Sequence, residues 1–254
     1  MWASRHRVPG LRAHSAHAAR FDLRRGSEHA REVRTLFVVA ALLAPGGKAP
    51  VICLDPGHAA TPNLSTEPIG PGSSVRKIKD GGGAPGEAVV VLDIARKTRR
   101  LLLGRGYRVE MTRTGSEFTY GNGGNIARAQ FCNRRRSALM LRIHADGSTS
   151  PALHGAATLY PARRRGWTDD IYRPSLRAAR LVHRQLIRAT GAADRGLVAR
   201  GDLTGFNWAD VPVILVETGF MTNPRERSLL QSDWYQRRIA RGLTAGVSRF
   251  VPLD

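Results

Sequence analysis

The feature that most constrains the fold is a short apolar run at residues 51–54 that leads through Asp-Pro-Gly into His58. An apolar run of this length, bounded by a Pro-Gly turn, is typical of a buried strand. A second strand-like run, residues 138–143, ends in the same way at His144. In α/β sheets, ligands bind outside the carboxyl ends of the strands. The two runs therefore predict a sheet that presents histidines at its functional edge.

Helical segments separate the predicted strands. After Glu87, apolar side chains recur every three or four residues until glycines at 104 and 106 end the helix, and residues 107–112 predict the next strand. A strand, a helix and a second strand form a unit that pairs its strands in parallel. Further helices are predicted at residues 125–136, 175–190 and 233–251, and further strands at residues 155–160 and 213–216. No linker or repeat divides these elements, so we predict a single α/β domain.

Residues 59–86 are rich in Gly, Pro, Ser and Thr and have no apolar periodicity. We predict a long loop here, beginning just after His58. Long loops inside compact domains are usually functional or mobile, so this segment is expected to border the site.

The charge of the chain is unusual for a globular protein. Lys and Arg total 40 against 20 Asp and Glu, which gives a formal net charge of +20. This excess indicates an anionic partner: a nucleic acid, an acidic membrane surface or an anionic cell-wall polymer. Arginine greatly outnumbers lysine and is spread over the whole length, which favours general affinity over a single recognition surface.

The first fifty residues predict export. Residues 1–34 are rich in Arg, Ala and His without periodicity, and we predict a disordered basic extension. Residues 35–44 are apolar but shorter than the roughly 20 residues of a membrane-spanning helix, and small residues lie around Ala44 and Ala49. Basic, apolar and small residues in this order are typical of a secretory signal. We therefore expect a secreted, periplasmic or cell-wall protein whose catalytic domain spans residues 50–254.

Two alternatives stay open for this region. The apolar run could instead form a buried first strand. Because the basic segment is longer than a usual signal start, a further hypothesis places the true translation start near Val33.

Two cysteines, Cys53 and Cys132, are present, and their spacing is not that of a structural zinc site. An exported chain could join them in a disulfide, and two buried thiols are the alternative. The sequence leaves both open because geometry decides the pairing.

Four residues are candidates for chemistry: His58, Glu87, His144 and Glu217. Glu217 follows four apolar strand residues, where a carboxylate is costly to bury unless it is paired, binds metal or lies at a cleft mouth. Glu87 opens a helix, a position that the helix dipole favours for an acid and that equally suits a ligand. Two histidines and one glutamate with an open fourth position form a ligand set of catalytic zinc, beside which a second carboxylate can act as general base.

Four motifs together resemble one family. They are Leu-Asp-Pro-Gly-His at residues 54–58, Glu87 with its following helix, Arg-Ile-His-Ala-Asp at residues 142–146, and Val-Glu-Thr-Gly-Phe-Met-Thr-Asn at residues 216–223. In this order they resemble the zinc-dependent N-acetylmuramoyl-L-alanine amidases of the Amidase_3 type, over about residues 51–250. Ala59 and Ala60 stand where such sequences often have glycines, and Val91 where a polar residue is common.

The resemblance implies a twisted, mixed but mostly parallel sheet with helices on both faces. It implies that His58, Glu87 and His144 hold one Zn²⁺ and that Glu217 is the catalytic base. The implied substrate is peptidoglycan or its muropeptides, cleaved between N-acetylmuramic acid and L-alanine. Asp55 is expected either to support His58 or to shape its turn.

The expected partners follow from this assignment. They are peptidoglycan and anionic wall polymers, with no nucleic acid and no transmembrane helix, and the chain is expected to act as a monomer. The main alternative is a catalytically degenerate domain that binds the wall without cutting it. A nucleic-acid-binding protein is the second alternative, and it depends on the charge alone.

Overall fold

The computed structural model describes residues 48–118 and 123–253. The predicted basic extension at residues 1–34 and nearly all of the predicted signal segment at residues 35–49 lie outside this part of the chain, so both remain predictions. The strands are β1 (Val51–Pro56), β2 (Asn63–Pro68), β3 (Arg76–Asp80), β4 (Arg108–Met111), β5 (Leu139–Asp146), β6 (Ala156–Pro161), β7 (Asp194–Arg200) and β8 (Val213–Phe220). The helices are α1 (Glu87–Leu103), α2 (Asn125–Arg134), α3 (Tyr172–Thr190), α4 (Thr204–Asn207), α5 (Pro224–Gln231) and α6 (Asp233–Phe250).

The main sheet has six strands in the order β4-β1-β5-β8-β6-β7. Strands β4, β1, β5 and β8 pair in parallel, β6 pairs antiparallel with β8, and β7 pairs in parallel with β6. The prediction of a mixed but mostly parallel sheet is confirmed. Because the carboxyl ends of β1, β5 and β8 lie side by side at one edge, residues that follow these strands meet there.

Helices cover both faces of the sheet, as predicted. Alternate strand residues such as Ile52, Leu141 and Ile214 pack in one core cluster with the buried sides of α1, α3 and α6. The intervening residues, such as Met140 and Val213, pack in a second cluster with residues of α2 and α4. Since successive side chains of a strand point to opposite faces, His144 and Glu217 project from the face that α2 and α4 cover.

Residues 59–86 are not a single unstructured loop, and that prediction was wrong. They contain an antiparallel hairpin of β2 and β3. Most side chains of this hairpin are at least partly exposed, and two large apolar ones, Leu64 and Ile78, face solvent. A hairpin with so little buried surface has no apolar alternation for sequence analysis to detect. Strand β7 was missed for the same reason, since none of its residues is fully buried.

A disulfide joins Cys53 in β1 to Cys132 in α2, with 5.7 Å between their Cα atoms. Both residues are fully buried in the second core cluster. The bond ties the strand that leads to His58 to the helix on the face from which His144 and Glu217 project.

Helices α3 and α6 pack at close range and run antiparallel. A Cβ atom on Gly242 would lie 2.9 Å from the backbone of Leu186, and one on Gly246 would lie 2.4 Å from the Cα atom of Val182. Glycine at these two positions lets the helix backbones approach. Within the described ranges, no helix is both long enough and apolar enough to cross a membrane.

Candidate metal centre and catalytic site

His58 lies two residues beyond the end of β1, and its backbone is left-handed with φ of 52°. Few residues other than glycine adopt this conformation, and such backbone strain clusters at functional sites. Its Nδ1 atom lies 2.6 Å from Asp80 Oδ1. Its Nε2 atom lies 3.5 Å from Glu87 Oε1. One ring nitrogen is thus held by Asp80, and the other is turned toward the second candidate ligand.

Glu87 is the first residue of α1, and only 2% of it is exposed. The backbone N–H of Ala84 donates to its Oε2 at 2.9 Å, and the backbone N–H of Ala145 donates to its Oε1 at 3.1 Å. His144 Nδ1 lies 3.2 Å from the same Oε1. Burial raises the pKa of Glu87, but the hydrogen bonds with His144 and with the backbone of Ala84 contribute to a net lowering of that pKa. Glu87 is therefore an anion fixed between the end of β5 and the start of its own helix.

His144 lies near the end of β5 and is buried. Among the described residues, its Nε2 atom has no hydrogen-bond partner although it is shielded from solvent. Burial lowers the pKa of its imidazole to about 4, so the ring is neutral at pH 7 and keeps a lone pair for a metal.

The donor set fits a metal ion. His58, Glu87 and His144 can each offer one ligand atom such that all three atoms lie within 4.8 Å of one another. Two imidazoles and a carboxylate are a donor set that zinc accepts, with a fourth position open to water or substrate. A metal bound here would also accept the lone pair of the His144 Nε2 atom, which is buried and has no partner among the described residues.

Two glycines make room for this arrangement. A Cβ atom at Gly57 would lie 2.3 Å from the imidazole ring of His144. At Gly83, which has a positive φ of 68°, a Cβ atom would lie 2.4 Å from Glu87 Oε2 and 2.5 Å from the ring of His58. The close approach of the three candidate ligands therefore requires glycine at both positions.

Glu217 lies in β8 directly beside His144, its register partner in β5. Its side chain reaches the cleft, but its Oε2 atom is shielded from solvent and has no hydrogen-bond partner in the described part of the chain. Burial, followed by the negative charges of Asp146 and Glu87, raises the pKa of Glu217 well above the ordinary value. Burying a carboxylate without a partner costs free energy, so its presence here indicates a functional role. In this respect Glu217 differs from the paired acids around it.

All four predicted site residues line one cleft of about 450 Å³. The remaining lining residues come from the turn before α1, the loop after β5 and the loop after β8: Gly83, Ala84, Pro85, Asp146, Gly147, Ser148, Thr149 and Thr222. The structure thus brings together every residue that the sequence singled out for chemistry.

Sequence analysis missed Asp80 and assigned its neighbourhood to a loop. Its carboxylate contacts His58 Nδ1 and accepts hydrogen bonds from the backbone of Ala59 and Gly82. These contacts outweigh burial and lower its pKa to about 2. A carboxylate that holds the second nitrogen of a ligand histidine fixes the tautomer and the ring orientation. The available signal was its position as the one acid immediately before three glycines.

Asp55, which was expected to support His58 or shape its turn, makes its side-chain contacts elsewhere. It is fully buried and accepts hydrogen bonds from Thr112, Arg128 and Arg142. The two guanidinium groups and the hydrogen bonds override burial and hold its pKa well below the ordinary value. Asp55 is the centre of a buried ionic network beneath the cleft.

Arg113 is a second residue that sequence analysis missed. It is almost fully buried and donates to the backbone carbonyl groups of Pro56 and Gly57 in the turn before His58. The same guanidinium donates to the carbonyl of Ala88 at 2.6 Å. Arg113 therefore connects the turn that carries His58 to the helix start that carries Glu87. No sequence pattern distinguishes it from the many other arginines.

Comparison with known proteins places these residues in a family. The family model for N-acetylmuramoyl-L-alanine amidases matches residues 52–249. N-acetylmuramoyl-L-alanine amidase AmiC of Neisseria meningitidis is 30% identical over 241 residues, which is 81% of this chain and 53% of that protein. N-acetylmuramoyl-L-alanine amidase Rv3717 of Mycobacterium tuberculosis is 29% identical over 227 residues, which is 79% of this chain and 86% of that protein.

The fold comparison agrees. The crystal structure of the N-acetylmuramyl-L-alanine amidase Ami1 from Mycobacterium smegmatis superposes with a TM-score of 0.70 at 28% identity and covers 80% of this chain and 98% of that one. The family match includes all but the first residue of the sheet and all four candidate site residues. The chain belongs to the N-acetylmuramoyl-L-alanine amidase family.

Proposed function

We propose that this protein is an exported peptidoglycan hydrolase that cleaves the amide between N-acetylmuramic acid and the L-alanine of the stem peptide, with one zinc ion as cofactor. Membership of the amidase family gives the reaction class and the cell-wall substrate. The observation that carries the mechanism is the convergence of His58, Glu87 and His144 within 4.8 Å, next to the unpartnered carboxylate of Glu217.

In this proposal His58, Glu87 and His144 hold the zinc ion. Zinc in such a site supplies Lewis-acid polarisation of a carbonyl and lowers the pKa of water toward 7. Asp80 keeps the proton of His58 on Nδ1, so that Nε2 is free to bind. Glu87 is held by two backbone N–H groups, which fix its carboxylate without neutralising it.

Glu217 acts as the general base and then as the general acid. Its carboxylate takes a proton from the attacking water as the new C–O bond forms at the lactyl carbonyl carbon. It returns that proton to the L-alanine nitrogen as the C–N bond breaks. A raised pKa suits this exchange, because it makes the Glu217 carboxylate a better proton acceptor than an ordinary carboxylate.

Several features support export to the wall. The disulfide between Cys53 and Cys132 is of a kind that persists in oxidising compartments outside the cytosol. The predicted signal segment at residues 35–49 and the net charge of +20 agree with a secreted or periplasmic protein that acts as a monomer among anionic wall polymers. Because the charge alone supports a nucleic-acid partner, that alternative is not adopted.

Metal analysis combined with a wall-digestion assay tests the proposal. We expect about one zinc per chain, a fall in turbidity of purified wall, and free L-alanine amino termini released in step with it. A chelator should stop the release, and added zinc should restore it. Wall binding with zinc present but without new amino termini would indicate the degenerate binding domain instead, and would contradict the proposed activity.

A further inference from the structure

Helix α3 carries a line of five arginines. They stand at spacings of four, three, four and four residues, namely Arg173, Arg177, Arg180, Arg184 and Arg188. Because an α-helix turns once every 3.6 residues, these spacings place all five on one side. All five are exposed, and within the described ranges none of them forms an ion pair. We call this set the α3 arginine stripe.

Apart from Arg188, which lies in the last turn where the helix dipole favours a cation, the stripe does not stabilise its own helix. Arginines at spacings of three and four repel one another, and Arg173 in the first turn opposes the helix dipole. No acidic residue lies in the first turn, and the sequence of α3 contains none at all. Packing of the opposite side of the helix, through Ala178, Val182 and Leu186, supplies the stability instead. Arg177 also lies over the ring of Phe250, but no acid of the described residues pairs with any of the five arginines, so this side of α3 is available to an external anion.

The middle of the stripe borders a groove of about 300 Å³ between α3 and β7. Arg180 and Arg184 line the groove together with Ile187, Leu197 and one acid, Asp194, which is paired with His183. His183, which also lines it, is occupied on both nitrogens, by Thr158 at 3.0 Å and Asp194 at 2.8 Å. The guanidinium groups are thus the cationic donors that this groove offers to a ligand.

The stripe lies away from the cleft. Helix α3 packs on the sheet face that carries Ile214 and Val216, whereas His144 and Glu217 project from the other face. A ligand bound along α3 would leave the catalytic cleft open.

We propose that the α3 arginine stripe binds a linear, phosphate-bearing polymer of the cell wall, and so retains the enzyme on its substrate. The inference depends on the proposed function for the location at the wall. From Arg173 to Arg188 the helix rises about 22 Å, enough for several phosphodiester groups of an extended chain. Guanidinium groups match phosphate in a bidentate geometry.

The form of the stripe favours a polymer over a membrane. None of the large exposed hydrophobic side chains of the described residues lies on α3. A helix that binds a bilayer surface inserts an apolar face, and the apolar face of α3 is buried against the sheet. A single file of cations suits one extended anion.

Two triple variants test the proposal. The first, R177Q/R180Q/R184Q, removes the middle of the stripe. The matched control, R99Q/R108Q/R134Q, removes the same charge from exposed positions on α1, β4 and α2. Both are made in the full chain with Glu217→Gln, so that walls are bound without being digested. The probes are synthetic poly(glycerol phosphate), walls before and after chemical removal of phosphate polymer, phosphatidylglycerol vesicles and duplex DNA.

The stripe variant should bind poly(glycerol phosphate) and untreated walls at least tenfold more weakly at low salt, and the control at most about threefold more weakly. The three stripe arginines are neighbours on one helix face, whereas the three control arginines lie on separate elements. Removing the phosphate polymer should abolish the difference. With Glu217 restored, the stripe variant should cleave soluble muropeptides at the wild-type rate, because the stripe lies away from the cleft. If the wild-type protein shows no amidase activity, the proposed function is wrong, but the binding result for the stripe is unaffected.

Three results would overturn the inference. Equal losses in the two variants would show that only total charge matters. A selective loss of vesicle binding with wall binding unchanged would assign the stripe to a membrane. A selective loss of DNA binding would assign it to nucleic acid.

Discussion

Two groups of charged side chains lie close together and differ in how completely their polar atoms are hydrogen-bonded. The lower group consists of Asp55, Arg128 and Arg142, and both carboxylate oxygens of Asp55 accept hydrogen bonds. The upper group consists of the cleft residues His58, Glu87, His144 and Glu217. In the described structure it leaves His144 Nε2 and Glu217 Oε2 without hydrogen-bond partners. In the lower group the corresponding exception is a single nitrogen, Arg128 Nε.

The difference separates support from chemistry. Asp55 accepts hydrogen bonds from both arginines, so these ion pairs hold β1, β5 and α2 together and leave neither carboxylate oxygen free for a ligand. The upper group is held at its edges, by Asp80 on His58 and by backbone N–H groups on Glu87. Its two central atoms, His144 Nε2 and Glu217 Oε2, have no hydrogen-bond partner among the described residues. Buried charge alone therefore does not mark the site. What distinguishes the site is that the unpartnered atoms of His144 and Glu217 face one cleft together with His58 and Glu87.

The largest effect is expected from His144→Ala. The variant should lose zinc, from about one per chain to a small fraction, and with it all measurable amidase activity, because two of the three ligands cannot retain the ion. Zinc content after dialysis is the measurement. His154→Ala, at an exposed histidine, is the control and should keep the metal. Full zinc content in the His144 variant would remove this residue from the ligand set.

Glu217→Gln should lower kcat about 10²–10⁴-fold, the usual contribution of a general base, while zinc content stays at the wild-type level. The amide keeps the shape of the side chain but cannot accept the proton. Release of L-alanine amino termini from muropeptides measures the change. Wild-type turnover would show that another group takes the proton, and loss of zinc would show that Glu217 is a ligand.

Asp55→Asn should lower the free energy of unfolding by about 3 kcal/mol, because it leaves Arg128 and Arg142 buried without a counter-charge. Urea denaturation measures the effect. Asp93→Asn, which removes a surface partner of Arg96, is the control and should change stability by under about 1 kcal/mol. Equal effects would mean that the lower group is not the support that its bonding indicates.

Asp80→Asn should weaken zinc binding about 10–100-fold without preventing folding, because the amide no longer holds the proton of His58 on Nδ1 as an anion does. Competition with a zinc chelator measures the affinity. Asp202→Asn is the control, since Asp202 is an ion-paired carboxylate that contacts Lys77 and Arg200 instead of a candidate ligand. An unchanged affinity in the Asp80 variant would show that the contact between Asp80 and His58 does not support metal binding.

The free energy of unfolding should also fall in acid. The fall is at most about 1.4 kcal/mol per pH unit for each proton that the chain takes up on unfolding. The folded pKa of Asp55 is depressed, so its contribution is fully present above the unfolded value of about 3.9 and is lost as pH falls below it. The difference in unfolding free energy between wild type and Asp55→Asn should therefore shrink from pH 5 to pH 2. A constant difference would show that Asp55 keeps no depressed pKa.

The sequence predicted the parts of the fold that are buried and the chemistry placed at strand ends. Residues 51–54 and 213–216 predict their strands because both faces of these strands are covered, and the strand ends carry His58 and Glu217 to one edge. Sequence analysis missed the hairpin of β2 and β3 because its register comes from backbone pairing and not from an apolar face. It missed Asp80 for the same reason, since the contact with His58 joins residues 22 positions apart across that hairpin.

Arg113 and the disulfide show a second limit. Nothing near Arg113 in the sequence tells a buried guanidinium from an exposed one, because its partners are backbone carbonyls of other segments. The pairing of Cys53 with Cys132 spans 79 residues and depends on how α2 crosses β1. Contacts of this kind are set by tertiary packing and carry no local pattern.

Anomalous diffraction at the zinc edge, from crystals grown with one equivalent of zinc, tests the central claim most directly. The account predicts one strong peak at about 2.0–2.2 Å from a single atom each of His58, Glu87 and His144, with the Glu217 carboxylate beside the peak but not bonded to it. A peak that is bonded to Glu217, or that lacks any one of the three ligands, would contradict it.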